Sequence, residues 1–197
     1  MLDQLLQWDQ DLFLFLNGLN APFFDFLMYW ISDKYIWIPF YAFLMALIIK
    51  SYKTEAILVA IFIALVVTLS DQSSVKLFKD VFERLRPCHE PALNGLVHTV
   101  YGRCGGQFGF VSSHAANAFG MAVLVTLLLK KHFWWIGWLL IPWAAVVSYS
   151  RVYLGVHYPG DIIGGALLGI LCAYITYVLF RFTSHRLLLI FAKTNKS

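Results

Sequence analysis

The chain has 197 residues, of which 60% are hydrophobic and 13% charged, and its mean hydropathy is +0.70. Soluble domains are about 45–50% apolar and about 25% charged, so this composition excludes an ordinary water-soluble globule and indicates one polytopic membrane domain over residues 1–197. A net charge of +4 without any basic block offers no footprint for nucleic acid and suits anionic membranes or substrates.

Aromatics make up 17% of the chain, including seven Trp, as interfacial belts require. Asp3, Asp9 and Asp11 stand where a basic leader segment would be, so no cleavable leader is expected and the first membrane helix acts as its own insertion signal. Met1 to Leu19 sets Leu2, Leu5, Leu6, Trp8, Leu12 and Phe13 near helical spacing among acids and Gln, the pattern of an amphipathic helix lying on the membrane surface. Asn17, Gly18, Asn20 and Pro22 break it, and Phe23 to Ile31 is apolar around Asp25. Residues 1–34 therefore read as an interfacial region. Using Leu12 to Ile31 as a span is the alternative.

Five membrane helices follow: Tyr35 to Ile49, Ala56 to Leu69 with a polar continuation through Ser74, Ala115 to Leu129, Phe133 to Leu154, and Ile162 to Phe180. Each must be helical, because lipid offers no partner to a free backbone group. The fold class is thus all-α, a polytopic helix bundle. Residues 88–113 form a Gly-rich loop, and residues 184–197 a basic, amphipathic tail. Three cysteines are too few for a disulfide scaffold. Cys88 and Cys104 are open to three readings: a disulfide pinning the loop, free thiols, or a zinc site with His89 and His98. Cys172 reads as core.

Three polar blocks interrupt the apolar pattern at one membrane face. They are Lys79-Asp-Val-Phe-Glu-Arg-Leu-Arg86-Pro87, then Val111-Ser112-Ser113-His114, then Ser150-Arg151 followed by His157 and Asp161. This pattern resembles the three-part signature of the PAP2 superfamily: Lys-x6-Arg-Pro, Pro-Ser-Gly-His, and Ser-Arg-x5-His-x3-Asp. The first and third blocks match at every fixed position. The second has Val111 for Pro and Ser113 for Gly, and keeps Ser112 and His114. The resemblance implies a membrane phosphatase with His157 as nucleophile, and no metal or other cofactor.

Elementary chemistry supports the same roles. A phosphoryl group in transfer spreads negative charge over three equatorial oxygens and needs cations and donors around them. Lys79, Arg86 and Arg151 supply the cations; Ser112 supplies a hydroxyl, with Ser113 and His114 amides at a helix N-terminus. Asp161 follows His157 by four residues, one helical turn, and fixes its tautomer by accepting from Nδ1–H. His114 serves as acid toward the leaving oxygen and then as base toward water. Lys79 and Arg86, seven residues apart, should share a helix that yields just before Pro87. Lys76, Arg84 and Arg103 read as headgroup contacts or surface charge, and Asp71 either as a partner of Lys76 or Lys79 or as an interior polar residue.

Orientation follows from basic residues. Lys50, Lys53, Lys130, Lys131, Arg181, Arg186, Lys193 and Lys196 share one side, eight in all; Lys34, Lys76, Lys79, Arg84, Arg86, Arg103 and Arg151, seven, share the other. Setting aside the three cations of the site leaves four, so the site is expected away from the cytoplasm, on the periplasmic or exterior face of a bacterial inner membrane. The expected partner is a membrane lipid phosphate. Among substrates, an isoprenyl diphosphate such as undecaprenyl diphosphate ranks first, lipid A phosphate second, and phosphatidate or phosphatidylglycerol phosphate third. Phosphoryl transfer to another lipid is a related activity, and a lipid transporter or scramblase is the non-enzymatic rival.

Overall fold

The apolar stretches are helical, and the long departure from α-helical geometry is residues 83–112, where the only helical pieces are short 3-10 turns. The computed structural model describes residues 1–194, with side chains through His185. Its helices are α1 (Leu2–Gly18), α2 (Pro22–Ser32), α3 (Ile38–Tyr52), α4 (Ala56–Ser73), the short α5 (Asp80–Phe82), α6 (Ser113–Leu129), α7 (Ile136–Tyr153) and α8 (Pro159–Thr194). A π-helical turn over Ser74–Lys79 joins α4 to α5. Among the described residues there is no strand; one isolated β-bridge joins Leu85 to Phe108.

The boundaries have local causes. Pro22 and Pro159 each open a helix, where a missing N–H costs nothing. Ser112 caps α6, its Oγ accepting from the Ala115 N–H at 3.4 Å. Lys53, with φ of 48°, turns α3 into α4. Pro142 sits inside α7, so that helix lacks one backbone hydrogen bond.

The five stretches read as spans are helical for most of their length, though the helices begin at Ile38 and Ile136, three residues after the predicted starts at Tyr35 and Phe133. By length and composition alone, two stretches among the described residues suffice to cross a membrane, Ile38–Phe82 and Pro159–His185. The pair α1 and α2 is bent by 116° at its break, and would make a third if counted as one; α6 is apolar but has 17 residues. The basic tail predicted for 184–197 lies mostly outside the described side chains.

α6 is the hub, packing on α4, α7 and α8. In a bilayer, helices gain little from hydrophobic exclusion, so close backbone packing of small residues has to hold them together. α6 buries Ala115, Ala116, Ala118 and Ala122, and α8 answers with Gly165 and Gly169. A Cβ on Gly169 would stand 2.2 Å from the Ala116 carbonyl oxygen, and one on Gly165 2.4 Å from that of Ser112. This crossing sets the distance between the His114 end of α6 and the His157–Asp161 end of α8.

α1 is tied to the same end. Phe13 is fully buried and meets the Tyr158 ring edge-on at 5.3 Å. Asn17 is also buried; its Nδ2 donates to the carbonyls of Tyr153 (2.8 Å) and His98 (3.0 Å), and its Oδ1 accepts from the His98 N–H at 2.8 Å.

Gly169→Ala should therefore lower the thermal midpoint of the purified protein in detergent. Overpacking costs about 1–3 kcal/mol, or on the order of 2–12 °C for a chain of this size. Gly18→Ala, where nothing lies within 4 Å of the new methyl group, is the control and should leave the midpoint in place. Equal midpoints for the two variants would contradict the close crossing.

Candidate active site

The three polar blocks converge at one end of the bundle. Lys79 comes from the π turn, Arg86 from the loop after α5, Ser113 and His114 from the first turn of α6, and His157 from the turn between α7 and α8. All five line one cavity of about 590 Å³. Away from these groups its wall is mostly apolar and aromatic, with Trp37, Tyr41, Val67, Met121, Trp143 and Val147, and carries Ser32, Lys34, Asp71 and Asn117 as further polar groups. A second cavity of about 230 Å³, lined by apolar side chains of α3, α4 and α6, shares Tyr41 and Met121 with it.

His157 is 1% exposed and Asp161 not at all. His157 Nδ1 lies 3.2 Å from Asp161 Oδ2, which also accepts the Tyr158 N–H at 3.0 Å. The helical spacing read from the sequence thus brings imidazole and carboxylate together. With Asp161 ionised, Nδ1 carries the proton and Nε2 keeps its lone pair. Burial, followed by the charges of Arg86, Arg151 and Lys79, holds the imidazole well below its usual pKa, so it stays neutral.

The cations are held individually. Lys79 Nζ donates to Ser113 Oγ at 2.6 Å, and Ser113 Oγ lies 2.7 Å from Ser74 Oγ. The Ser that replaces Gly in the second block therefore adds a hydroxyl that orients Lys79, beyond the amide foreseen for it. Ser112 is fully buried as the α6 cap, and its N–H donates to the Asp161 carbonyl at 3.0 Å, which ties the second block to the third. Arg86 donates through Nε to the Phe108 carbonyl and through Nη1 to that of Cys104, each at 3.2 Å. Arg151 lines a separate pocket of about 250 Å³ with Tyr29, Asp33 and Arg103. Its Nη1 donates to Ser32 Oγ, and Ser32 lies on the wall of both spaces. Arg151 Nε is buried without a hydrogen-bond partner among the described residues, an orphan donor.

Several sequence readings need correction. The helix carrying Lys79 stops at Phe82, not just before Pro87, because Glu83 takes a left-handed conformation with φ of 47°. Residues 84–86 are then free to pair with the returning loop: Gly109 N–H donates to the Arg84 carbonyl at 2.8 Å, and Arg86 N–H to that of Gln107 at 3.1 Å. Arg84 is no surface charge. Its guanidinium donates to Asp161 Oδ1 at 2.9 Å and to Asp9 Oδ2 at 2.8 Å. Cys88 and Cys104 form a disulfide, so neither offers a thiolate to a metal, although His89 stands close by. His98, the fourth zinc candidate, lies instead 2.8 Å from Asp25 Oδ1. Asp71 lines the main cavity and accepts weakly from Asn117 Nδ2 at 3.4 Å. Cys172 is a buried free thiol, as expected of core. Sequence reasoning missed Ser32 and the pairing of Asp9, while Ser74 belongs to the polar continuation of α4 and faces the interior at Ser113.

The chain and its fold are similar to known proteins. The chain is 39% identical over 189 residues to a lipid A 4'-phosphatase of Bacteroides thetaiotaomicron, covering 95% of this chain and 81% of that one. It is 35% identical to a lipid A 4'-phosphatase of Porphyromonas gingivalis (94% and 78% covered) and 32% identical to an undecaprenyl-diphosphatase of Sulfolobus acidocaldarius (85% and 76%). The fold matches the crystal structure of a transmembrane PAP2 type phosphatidylglycerolphosphate phosphatase from Bacillus subtilis with a TM-score of 0.66 at 24% identity, covering 93% of this chain and 87% of that one. The family model of the PAP2 superfamily matches residues 56–184, which contain all three polar blocks, and the chain belongs to that superfamily of membrane phosphatases.

Proposed function

We propose that this protein removes a phosphomonoester from lipid A on the periplasmic face of a bacterial inner membrane, through a phosphohistidine at His157. The observation that carries the reading is the cavity, in which two histidines and two of the three cations stand at the polar end of an apolar chamber of about 590 Å³. Such a space takes a phosphate at one end and hydrocarbon at the other. Undecaprenyl diphosphate, ranked first from the sequence, gives way to lipid A. The two lipid A 4'-phosphatases are more similar to this chain, and over more of it, than the undecaprenyl-diphosphatase. The polar pocket beside Arg151, with Asp33 and Arg103, adds room and hydrogen-bonding groups for a sugar headgroup.

In this reading His157 Nε2 attacks phosphorus, a P–N bond forms and the P–O ester bond breaks. His114 gives its proton to the departing oxygen and then takes one from water, whose oxygen attacks phosphorus, cleaves the P–N bond and releases inorganic phosphate. Asp161 stabilises the positive charge that develops on the imidazole. Lys79, Arg86 and Arg151, with the N–H groups of Ser113 and His114, hold the equatorial oxygens, while Ser112, foreseen as a hydroxyl donor, is engaged in capping α6.

Helices α3, α4, α6, α7 and α8 are the five proposed spans, with α1 and α2 at the interface. The disulfide supports an active-site loop in an oxidising compartment, as does the excess of basic residues at the opposite end.

The substrate reading is tested by phosphate release from lipid A, undecaprenyl diphosphate and phosphatidylglycerol phosphate presented at equal mole fraction in mixed micelles. kcat/KM should favour lipid A by about tenfold or more, equal to ~1.4 kcal/mol of transition-state binding. A preference for undecaprenyl diphosphate would return the first choice of the sequence, and no release from any lipid would favour the transporter.

The pH dependence follows from His157. A nucleophile whose pKa is lowered stays neutral as acidity rises, so the acid limb of kcat/KM should lie below about 6.5, the ordinary histidine value. The profile must be corrected for the substrate monoester, whose second pKa is about 6. A corrected acid limb centred above pH 7 would contradict a neutral, buried nucleophile.

A further inference from the structure

We propose that Arg84 is a positioning residue for phosphoryl transfer, bridging Asp9 of the N-terminal helix to Asp161 so that the carboxylate faces His157. The proposal rests on the reading of His157 as nucleophile.

Arg84 lies outside the fixed positions of the first polar block, and Asp9 lies in a helix that the sequence assigns to the membrane surface. Yet the two form a closed ring around the base of the site. Arg84 Nη1 donates to Asp161 Oδ1 at 2.9 Å and Nη2 to Asp9 Oδ2 at 2.8 Å. The second Asp9 oxygen accepts from the Gly160 N–H at 2.7 Å, one residue before Asp161. The guanidinium also stacks over the Tyr158 ring, 4.0 Å from its centre. Position 160 is tight: a Cβ there would come within 2.7 Å of Asp9 Oδ2.

The division of labour on Asp161 gives Arg84 its role. One oxygen, Oδ2, takes His157 and the Tyr158 N–H; the other, Oδ1, takes Arg84. A carboxylate is planar, so pulling Oδ1 toward Arg84 fixes the direction in which Oδ2 points. A guanidinium fork is suited to this, because its donors leave a rigid plane toward two acceptors at once. Arg84 also supplies charge. Asp161 has no exposed surface, and a buried carboxylate without a cation is costly and takes up a proton. The charged and titratable groups around it are Arg84, Arg86, Lys79, His157 and Tyr158, with Asp9 behind Arg84. Of the cations, Arg84 alone is bonded to the carboxylate among the described residues. The others surround the cavity, where a phosphate would claim their charge.

The experiment compares Arg84→Gln, Arg84→Lys and Asp9→Asn with wild type, reading kcat, KM, the acid limb of kcat/KM, and phosphate trapped on the protein after rapid quench. Arg84→Gln should lower kcat by ~10–100-fold, the usual cost of losing a group that orients a working side chain. Its acid limb should move to higher pH, because Asp161 is then protonated more readily and a protonated carboxyl no longer accepts from Nδ1–H. Arg84→Lys should return the limb toward its wild-type position while recovering only part of kcat, since an ammonium restores charge but not the fork. Asp9→Asn should lower kcat without raising the limb.

If Arg84→Gln leaves kcat and the limb unchanged and raises only KM, Arg84 is a headgroup contact and the proposal fails. If Arg84→Lys keeps the displaced limb of Arg84→Gln, the charge argument fails. If Arg84→Gln does not fold, Arg84→Lys and Asp9→Asn decide alone: wild-type kcat in both would overturn the proposal. Absence of trapped phosphohistidine in turning-over wild type would sink the nucleophile assignment instead, which keeps the two failures distinct.

Discussion

Asp161 is a carboxylate with no exposed surface, and the geometry of the polar end of the bundle follows from keeping it there. A buried negative charge needs hydrogen bonds and a counter-charge, and its partners combine the adjoining turn with a distant cation. His157 and the Tyr158 N–H come from the turn before α8, Arg84 from the loop after α5, and Asp9 behind it from α1. The main-chain carbonyl of Asp161 also accepts from Ser112, which caps α6. One residue thus gathers the loop after α5 and the starts of α6 and α8, with the middle of α1 held through Arg84.

The bundle beneath makes that gathering possible. Gly165 and Gly169 let α8 approach α6 until backbone touches side-chain space, and a Cβ at Gly165 would strike the Ser112 carbonyl itself. Ser113 then sits where Lys79 can donate to it, and His114 where it lines the same cavity as His157. The proposed chemistry uses this crowding. A neutral imidazole surrounded by cations is a poor place for a proton and a good place for an anionic phosphoryl group, which replaces the missing counter-charge when it binds.

Much of the site was legible because its residues carry unusual chemistry at the ends of apolar runs. Lys79, Arg86, Arg151, His114, His157 and Asp161 stand out against lipid-facing sequence, and the i,i+4 spacing of His157 and Asp161 survives directly as a contact. The all-helical class was equally plain from hydropathy. What the sequence hid is long-range. Arg84 meets partners 75 and 77 residues away, and Arg151 meets Ser32 across 119 residues, so no local period links them. The early end of the helix after Lys79 was hidden for a related reason. A proline at position 87 marks a stop, but pairing of residues 84–86 with the returning loop required an earlier one at Glu83. The substrate was the least legible feature, because isoprenyl and acyl tails ask the same thing of an apolar wall.

The central claim is that phosphate passes through His157, and the most direct measurement is its capture there. Purified protein mixed with lipid A labelled in the transferred phosphate, quenched in base within a single turnover and digested, should yield one labelled peptide containing His157. Its phosphate should be stable to base and lost in acid, as expected for a phosphoramidate. Label on His114 instead, or turnover that proceeds with no protein-bound phosphate at any quench time, would contradict the account.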